Sequence, residues 1–383
     1  MRPGPASDRI LVSTTTGDCS STSSDSSSSA RYSLHINPKW SASIWHIPSP
    51  LSDAPLFSSA TRFETLNPQS QTRPVSHRHR QYRYDDSSDL SGYFQKVRDC
   101  NRGSELISEF VPFVVEDQIV GYIHKGFINY LRKFEDVFSV VLSRNGTLIG
   151  GHVTLHSSLK TPEKRTEAVG DVIKQLGNLI PGIRNELYPV TSSFGMPTLL
   201  SLERAAAPYF GIKAYGVHMN GYVDRNGGKF LWIGKRSNMK PTYPGMLDHL
   251  AAGGLPHGIS CKENLVKECE EEAGIPRTIS ASAIPVGAVS YVDIDGFRYK
   301  RDVLFCYDLK LPADFSPKNE DGEVDSFRLV PLTHVANIIR RTEFFKPNCC
   351  LVIIDFLFRH GYISPDDCGY LELLQSLRRG NCS

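Results

Sequence analysis

The amino-acid sequence predicts a mixed fold of class α/β (or α+β), and two kinds of segment carry this prediction. Several runs alternate apolar and polar residues and meet at turns that contain Gly, which is typical of β-hairpins. Between two of these runs, residues 261–273 form a short helical pattern with a clear start and end. Taken alone, this order of elements indicates mixed α and β structure and nothing more specific.

Composition limits the possible functions. With 383 residues, the chain is long enough for two or three domains. Its net charge of +2 gives no electrostatic reason to expect nucleic acid or a membrane surface as a partner. The longest apolar run, residues 349–358, contains Asp355 and is too short to span a bilayer. The nine cysteines include no Cys-x-x-Cys pair, which favours reduced thiols.

Residues 1–85 are predicted to be a disordered leader. The segment is rich in Ser, including an unbroken run at 26–29, and poor in acidic residues. Such N-termini are typical of organelle transit peptides. The alternative is a plain disordered tail, which Asp8, Asp18 and Asp25 favour because they dilute the positive charge.

Residues 90–205 are predicted to form a first, smaller α+β domain. A hairpin is expected around Glu116-Asp117, and a second one around Asn145-Gly146, a strong short hairpin signal. The predicted elements are strands at 110–115 and 119–123, a helix at 125–134, strands at 138–142 and 147–155, and a helix at 162–176.

Residues 206–345 are predicted to form a second domain, and residues 346–383 to form helices that pack on it. Strands are expected at 217–223 and 229–234, and again at 286–293 and 298–309. Helices are expected at 333–341 and 348–360.

The helix at 261–273 has recognisable ends. Ser260 and Glu263 fit a capping box, in which each side chain satisfies a backbone donor of the other residue. Gly274 stands at the usual stop position, and Pro276 prevents continuation.

Three carboxylates of this helix, Glu268, Glu271 and Glu272, share one face because they are spaced i, i+3 and i+4. Such crowding is unfavourable unless a cation offsets it. Mg²⁺ and similar hard cations take oxygen ligands beside phosphate-bearing substrates. The alternative from charge alone is a solvated acidic face.

The residues around this helix resemble the Nudix signature, G-x5-E-x7-R-E-U-x-E-E-x-G-U, where U is apolar. Two positions depart from it, with Ile259 in place of the first Glu and Lys267 in place of Arg. The matching positions are Gly253, Glu268, Cys269, Glu271, Glu272, Gly274 and Ile275. The resemblance implies an α/β/α sandwich with a mixed sheet.

Three further segments, at 182–189, 202–211 and 319–325, are similar to plant Nudix hydrolases related to thiamin pyrophosphokinase. This resemblance implies a chloroplast enzyme. It would hydrolyse thiamin diphosphate and its damaged oxo and oxy analogues to the monophosphate and phosphate. Two alternatives stay open: a Nudix hydrolase of nucleotide derivatives such as nucleotide sugars or nucleoside triphosphates, and a non-catalytic module that binds a phosphorylated metabolite.

The resemblance also implies roles for individual residues. Glu268, Glu271 and Glu272 would bind Mg²⁺ or Mn²⁺. The base that activates water would be Glu272 or a distal Glu, with Glu323 preferred to Glu320. Gly253 and Gly254 would let the backbone approach phosphates, the alternative being a simple bend from strand to loop. Independently of the resemblance, Arg236 lies at the end of a predicted strand and could contact phosphate, the alternative being a solvated charge. The partner is a small-molecule diphosphate, and the sequence does not indicate an oligomeric state.

Overall fold

The computed structural model of the protein describes residues 88–380. The predicted leader at 1–85 lies outside the described residues, so its disorder and targeting role stay predictions.

The first part of the described chain is built on a four-stranded sheet, whose order is β2 (Gln118–His124), β1 (Phe110–Val115), β4 (His152–Leu155) and β3 (Phe138–Val141). Strands β1 and β4 are parallel, and both outer pairs are antiparallel. The helix α3 begins at Pro162, and the Thr161 hydroxyl caps it by accepting from Lys164 N–H. The elements are α1 (Ser91–Cys100), a 3₁₀ helix (Ser104–Glu109), β1 (Phe110–Val115), β2 (Gln118–His124), α2 (Lys125–Leu131), β3 (Phe138–Val141), β4 (His152–Leu155) and α3 (Pro162–Gln175).

The hairpin predicted at Glu116-Asp117 is confirmed, and both residues have positive φ angles in its tight turn. The tight hairpin predicted at Asn145-Gly146 is wrong. Strands β3 and β4 do pair, but β4 begins only at His152, so the connection spans residues 142–151. The turn signal acts locally within this loop, where Ser143 N–H donates to Thr147 C=O at 2.9 Å.

A small two-stranded sheet follows, formed by β5 (Leu187–Val190) and β6 (Leu200–Glu203), with a 3₁₀ turn at Arg204–Ala206. Its inner face belongs to the core of the first part of the chain. Tyr188, Leu200 and Leu202 are buried there among residues of β1, β2 and α3.

The second sheet has seven strands, with the path β11-β12-β7-β8-β13 and two short strands attached at β7 and β8. Only the pair β7 and β12 is parallel. The predicted strands are confirmed but run longer than expected. The elements are β7 (Lys213–Arg225), β8 (Gly228–Arg236), β9 (Leu247–Asp248), β10 (Ala251–Gly254), α4 (Cys261–Ala273), α5 (Arg277–Ser280), β11 (Ile284–Asp295), β12 (Arg298–Lys310), β13 (Val324–Pro331), α6 (Leu332–Arg341), α7 (Pro347–Arg359) and α8 (Tyr370–Ser376).

Helices cover both faces of this sheet. Successive side chains of β7 point to opposite faces, and each set packs against a different helix. Val217 and Met219 are buried in the core that contains the apolar side of α4. Tyr222, on the other face, packs edge-on against Phe356 of α7, with ring centroids 5.7 Å apart. The predicted α/β/α sandwich with a mixed sheet is therefore confirmed.

Helix α1 packs against α6, α7 and α8, on the side of the large sheet opposite α4. The 3₁₀ helix that follows α1 still contacts β11 of the large sheet. The chain then forms the smaller sheet and returns to the large sheet at β7. The domain limits at 206 and 346 stay predictions.

None of the helices at 88–380 is both long and apolar enough to cross a membrane. The seven cysteines described in the structure all have free thiols. Cys269 lies fully buried on α4, as expected for a small core residue.

Candidate active site

The ends of α4 form as its sequence dictates, with one difference. The Ser260 hydroxyl accepts from Glu263 N–H at 3.2 Å, and Gly274 ends the helix at a φ of 60°. The predicted return bond from Glu263 does not form. Both oxygens of Glu263 instead accept from Arg277 at 2.7 Å. Only one of the two hydrogen bonds of the predicted capping box therefore forms, and the Glu263 side chain instead links α4 to α5.

The apolar stripe of α4 fixes its rotation about the helix axis. Leu265, Cys269 and Ala273 are fully buried against β7. With that stripe fixed against the sheet, Glu268 and Glu272 face the backbone of β10, and Glu271 stays half-exposed. Two carboxylates of α4 therefore lie against β10, the strand that contains Gly253, the first residue of the signature.

Two adjacent glycines of β10 make room for side chains on opposite sides of the strand. A Cβ atom on Gly253 would lie 2.2 Å from Cδ of Glu268. A Cβ atom on Gly254 would lie 1.9 Å from the hydroxyl oxygen of Tyr188, which comes from β5. Both separations are far inside van der Waals contact, so a side chain at either position would require Glu268 or Tyr188 to move. The glycine pair thus admits a carboxylate from α4 and a tyrosine from the small sheet.

Glu272 lies closest to the strand backbone. Its Oε2 accepts from Ala252 N–H at 2.8 Å. Burial raises the pKa of Glu272 well above its ordinary value, and the carboxylates of Glu268 and Glu323 raise it further. Burial likewise raises the pKa of Glu268. Carboxylates crowded in a partly desolvated place are electrostatically unfavourable unless a cation joins them.

Lys267, which replaces the Arg of the signature, joins two of the predicted metal ligands. Its Nζ lies 2.9 Å from Glu271 and 3.4 Å from Glu268. These are single contacts from a point charge rather than the paired contacts of a planar guanidinium.

Ile259, which replaces the first Glu of the signature, is packed against an apolar cluster formed by Tyr215, Leu255 and Val303. Ile259 is only partly buried in this cluster. The apolar side chain at 259 is therefore compatible with the packing around it.

The distal carboxylate candidates lie on the loop before β13. The Glu323 side chain pairs with Lys240, and its backbone C=O accepts from Ser237 N–H at 2.9 Å. It is one of the groups that raise the pKa of Glu272. Glu320 lies instead at the C-terminal end of α4, where its Oε1 is 3.3 Å from the position of a Cβ on Gly274.

Arg236, predicted to contact phosphate, directs its guanidinium into the protein. Nη1 donates to Asp248 at 2.7 Å, and the other nitrogens donate to the carbonyls of Thr242 and Tyr243. A phosphate contact would have to replace one of these bonds.

Comparison with known proteins agrees with this geometry. The profile described as NUDIX domain matches residues 215–347, and one described as Domain of unknown function (DUF4743) matches residues 92–214. Nudix hydrolase 20, chloroplastic, from Arabidopsis thaliana is 67% identical over 302 residues, which cover 78% of this chain and 80% of the relative. The chain belongs to the Nudix hydrolase family.

Two further relatives extend the comparison. Nudix hydrolase 24, chloroplastic, from Arabidopsis thaliana is 63% identical over 306 residues, covering 79% of this chain and 82% of the relative. An uncharacterized protein of Saccharomyces cerevisiae is 42% identical over 215 residues, covering 52% of this chain and 62% of that protein. The protein is an enzyme of the Nudix class, acting on phosphoric anhydride bonds of diphosphate-containing substrates. The expected chloroplast location agrees with the names of both plant relatives.

Sequence reasoning missed several residues that contact the Nudix loop between β10 and α4. Asn264 Nδ2 donates to Gly254 C=O at 2.8 Å, and His257 Nδ1 lies 2.7 Å from the Ser201 hydroxyl. Tyr188 of β5 lies against Gly254, and Arg204, in the 3₁₀ turn after β6, lies beside the Tyr188 ring. The signal was present, because Tyr188 and Arg204 lie in two segments noted for their resemblance. What was missing was the pairing that brings those segments to the loop.

A second group of possible metal ligands lies on the other face of the sheet. One ligand atom each from His218, His249 and Cys349 lie within 4.8 Å of one another, and all three residues are buried. The two Nδ1 atoms are 3.1 Å apart, and Cys349 Sγ donates to Asp248. Two cations, Arg236 and Lys346, also bind Asp248. Because burial favours the neutral thiol and neutral imidazoles and the cations repel a metal ion, we attribute this cluster to internal hydrogen bonding.

This cluster predicts that the protein loses stability in mild acid. Burial lowers the pKa of His249 from 6.5 to about 4, so the unfolded chain binds the proton more tightly than the folded one. The neutral His249 is compatible with the fold above pH 6.5, and stability falls as the pH drops toward 4. We expect a loss of about 2 kcal/mol between pH 7 and pH 5 from this group.

Urea unfolding of the wild type and of His249→Gln at both pH values measures this effect. The variant should show a smaller difference between the two pH values, whatever its absolute stability. His334→Gln, at an exposed position, is the control and should keep the wild-type difference. An unchanged pH dependence in His249→Gln would contradict the assignment.

Proposed function

We propose that this Nudix enzyme hydrolyses thiamin diphosphate, and its oxo and oxy analogues, to the monophosphate and inorganic phosphate in the chloroplast. The observation that supports hydrolysis at this site is the meeting of Glu268 and Glu272 at the backbone of Gly253 and Ala252. The thiamin part of the proposal is supported by the resemblance of the segments at 182–189, 202–211 and 319–325 to plant Nudix hydrolases related to thiamin pyrophosphokinase.

The residues at this site fit Mg²⁺ or Mn²⁺. The donor set consists of carboxylate oxygens, which hard cations prefer. Burial and neighbouring carboxylates raise the pKa of both Glu268 and Glu272, so a bound cation would relieve an existing electrostatic cost. In our proposal Glu268, Glu271 and Glu272 hold the ion. When bound, the ion neutralises phosphate oxygens and lowers the pKa of a coordinated water.

The remaining roles belong to side chains of the chain itself. We assign Glu272, or Glu323 from the loop before β13, as the base that takes a proton from the attacking water. Such a base accelerates hydrolysis by about 100- to 10,000-fold. Gly253 and Gly254 carry no side chains of their own, so a phosphate would approach the backbone of β10 beside Glu268 and Tyr188, which occupy the space that those side chains would fill. Arg236 would act mainly by orienting the segment at 242–243, whose carbonyls it holds.

A panel of substrates tests the proposal. Phosphate release is measured with thiamin, oxo-thiamin and oxy-thiamin diphosphates and with a nucleotide sugar and a nucleoside triphosphate, each with and without Mg²⁺ or Mn²⁺. We expect metal-dependent release from the thiamin compounds, with a higher kcat/KM for the oxo and oxy forms. Selective release from nucleotides would replace the substrate class. No release from any compound would overturn the enzymatic proposal in favour of a binding module.

A further inference from the structure

The two segments at 182–189 and 202–211 meet in the small sheet beside the Nudix site. Strands β5 and β6 pair so that Leu187 lies opposite Glu203, and Arg204 N–H donates to Glu186 C=O at 2.8 Å. This pairing places Glu186, Tyr188 and Arg204 near one end of the strand pair, with Glu186 just before β5 and Arg204 just after β6. The family profile that covers this region carries no assigned function.

The small sheet formed by β5 and β6 contacts the Nudix loop directly. His257 N–H donates to Leu187 C=O at 2.8 Å, and His257 Nδ1 lies 2.7 Å from the Ser201 hydroxyl. The Tyr188 hydroxyl occupies the space that a side chain on Gly254 would fill. The loop that leads into α4 is therefore held at three points by a part of the chain outside the Nudix domain.

Arg204 lies beside Tyr188, and only one of its three guanidinium nitrogens has a hydrogen-bond partner in the described part of the chain. Nη1 donates to Glu186 Oε2 at 2.7 Å, and Cζ lies 5.7 Å from the centroid of the Tyr188 ring. Within residues 88–380, Nε and Nη2 have no hydrogen-bond partner, and the side chain is 37% exposed. A guanidinium with two free nitrogens can form paired bonds to phosphate oxygens.

The electrostatic environment links Arg204 to the carboxylate site. Burial lowers the pKa of Arg204, but Tyr188, Glu186 and Glu268 outweigh burial and raise it. Glu186 in turn is one of the groups that raise the pKa of Glu268. Arg204 is thus a permanent cation within electrostatic reach of Glu268, on the first part of the chain.

We propose that Arg204 is a substrate-binding residue, which the first domain supplies to the Nudix site to bind phosphate oxygens of the diphosphate. Glu186 and Tyr188 are its positioning residues: the first fixes Nη1, and the second supports the guanidinium from its ring face. This inference rests on the proposed hydrolysis of a diphosphate. It gives the first domain a part in binding the substrate as well as in holding the loop.

Binding of methylenediphosphonate, a diphosphate that cannot be hydrolysed, tests this role in the full-length chain with saturating Mg²⁺. We expect Arg204→Ala to raise the dissociation constant at least tenfold, and Arg204→Lys, which keeps the charge but loses the planar fork, to have an intermediate effect. Arg277→Ala is the matched control. It removes another Arg–Glu pair of 2.7 Å, on α5, and should leave the dissociation constant within twofold.

Glu186→Gln separates substrate binding from a purely structural ion pair. If the pair only holds β5 and β6 together, Arg204→Ala and Glu186→Gln should lower the melting temperature alike and weaken binding alike. In our proposal, Glu186→Gln keeps the guanidinium and an amide oxygen that can accept from Nη1, so it weakens binding clearly less than Arg204→Ala does. Equal losses in the two variants, or an Arg204→Ala protein that binds like the wild type, would overturn the assignment.

The same measurement distinguishes this inference from the proposed hydrolysis. Wild-type protein that binds methylenediphosphonate through Arg204 but cleaves no diphosphate would retain the inference and refute the hydrolysis. Wild-type protein that does not bind methylenediphosphonate at all would refute the role of Arg204.

Discussion

Glu272→Gln is expected to lower metal-dependent diphosphate hydrolysis by about 100- to 10,000-fold while the protein stays folded. The amide keeps an oxygen that can accept from Ala252 N–H, so the contact with β10 can survive. It cannot carry the negative charge needed to hold a cation or to accept a proton. Because burial already disfavours the ionised carboxylate, the neutral amide should leave the melting temperature equal or higher.

Three measurements on purified protein check this result: phosphate release, Mn²⁺ affinity and thermal unfolding. Glu270→Gln is the matched control, because Glu270 lies on the same helix but is exposed and outside the proposed ligand set. It should keep the activity of the wild type. Glu271→Gln should also lose activity if Glu271 is a ligand. Wild-type turnover in Glu272→Gln would refute the central role of this carboxylate.

Alanine at Gly253 should mainly reduce turnover, whereas alanine at Gly254 should mainly reduce stability. In Gly253→Ala, the new Cβ collides with Cδ of Glu268, a flexible side chain that can swing away. The fold should survive, but a misplaced ligand should lower turnover by about 100-fold. In Gly254→Ala, the new Cβ meets the hydroxyl of Tyr188, a buried ring that cannot turn aside. We expect a loss of stability of about 1–3 kcal/mol.

Chemical unfolding and kinetics on both variants measure this contrast. Gly170→Ala is the control, because a Cβ at that position in α3 would meet no atom within 4 Å. It should be neutral or slightly stabilising, since Ala favours helix over Gly by about 1 kcal/mol. Adding Tyr188→Phe to Gly254→Ala should recover part of the lost stability. No recovery, or similar losses of activity and stability in both single variants, would contradict the opposed contacts of the two glycines.

Both ends of α4 could be predicted from the sequence because the residues that define them are local. Ser260, Gly274 and Pro276 set the ends through bonds and φ angles that involve only near neighbours. The i, i+3, i+4 spacing of Glu268, Glu271 and Glu272 required no knowledge of the rest of the chain. What spacing could not reveal is that Glu271 pairs with Lys267 in solvent while Glu272 turns onto the backbone of β10.

Local signals failed where a distant partner decided the outcome. Asn145-Gly146 predicted a tight hairpin, but β4 begins only at His152, where it pairs with both β1 and β3, and the loop at 142–151 contains the extra residues. Glu263 fitted a capping box, but Arg277 offers a charged partner that the backbone amide of Ser260 cannot match. In both cases a favourable local arrangement was available and a stronger nonlocal contact replaced it.

By itself the sequence determined the mixed fold, the extent of the acidic helix and the set of carboxylates from which the site is built, because periodicity, caps and signature spacing are properties of contiguous residues. Only the tertiary structure decided that β5 brings Tyr188 to Gly254 with Arg204 beside it, and that a glycine pair admits Glu268 on one side and Tyr188 on the other. The contact of Tyr188 depends on how two sheets pack, and the contact of Glu268 depends on how α4 packs against β10. No local pattern encodes either arrangement.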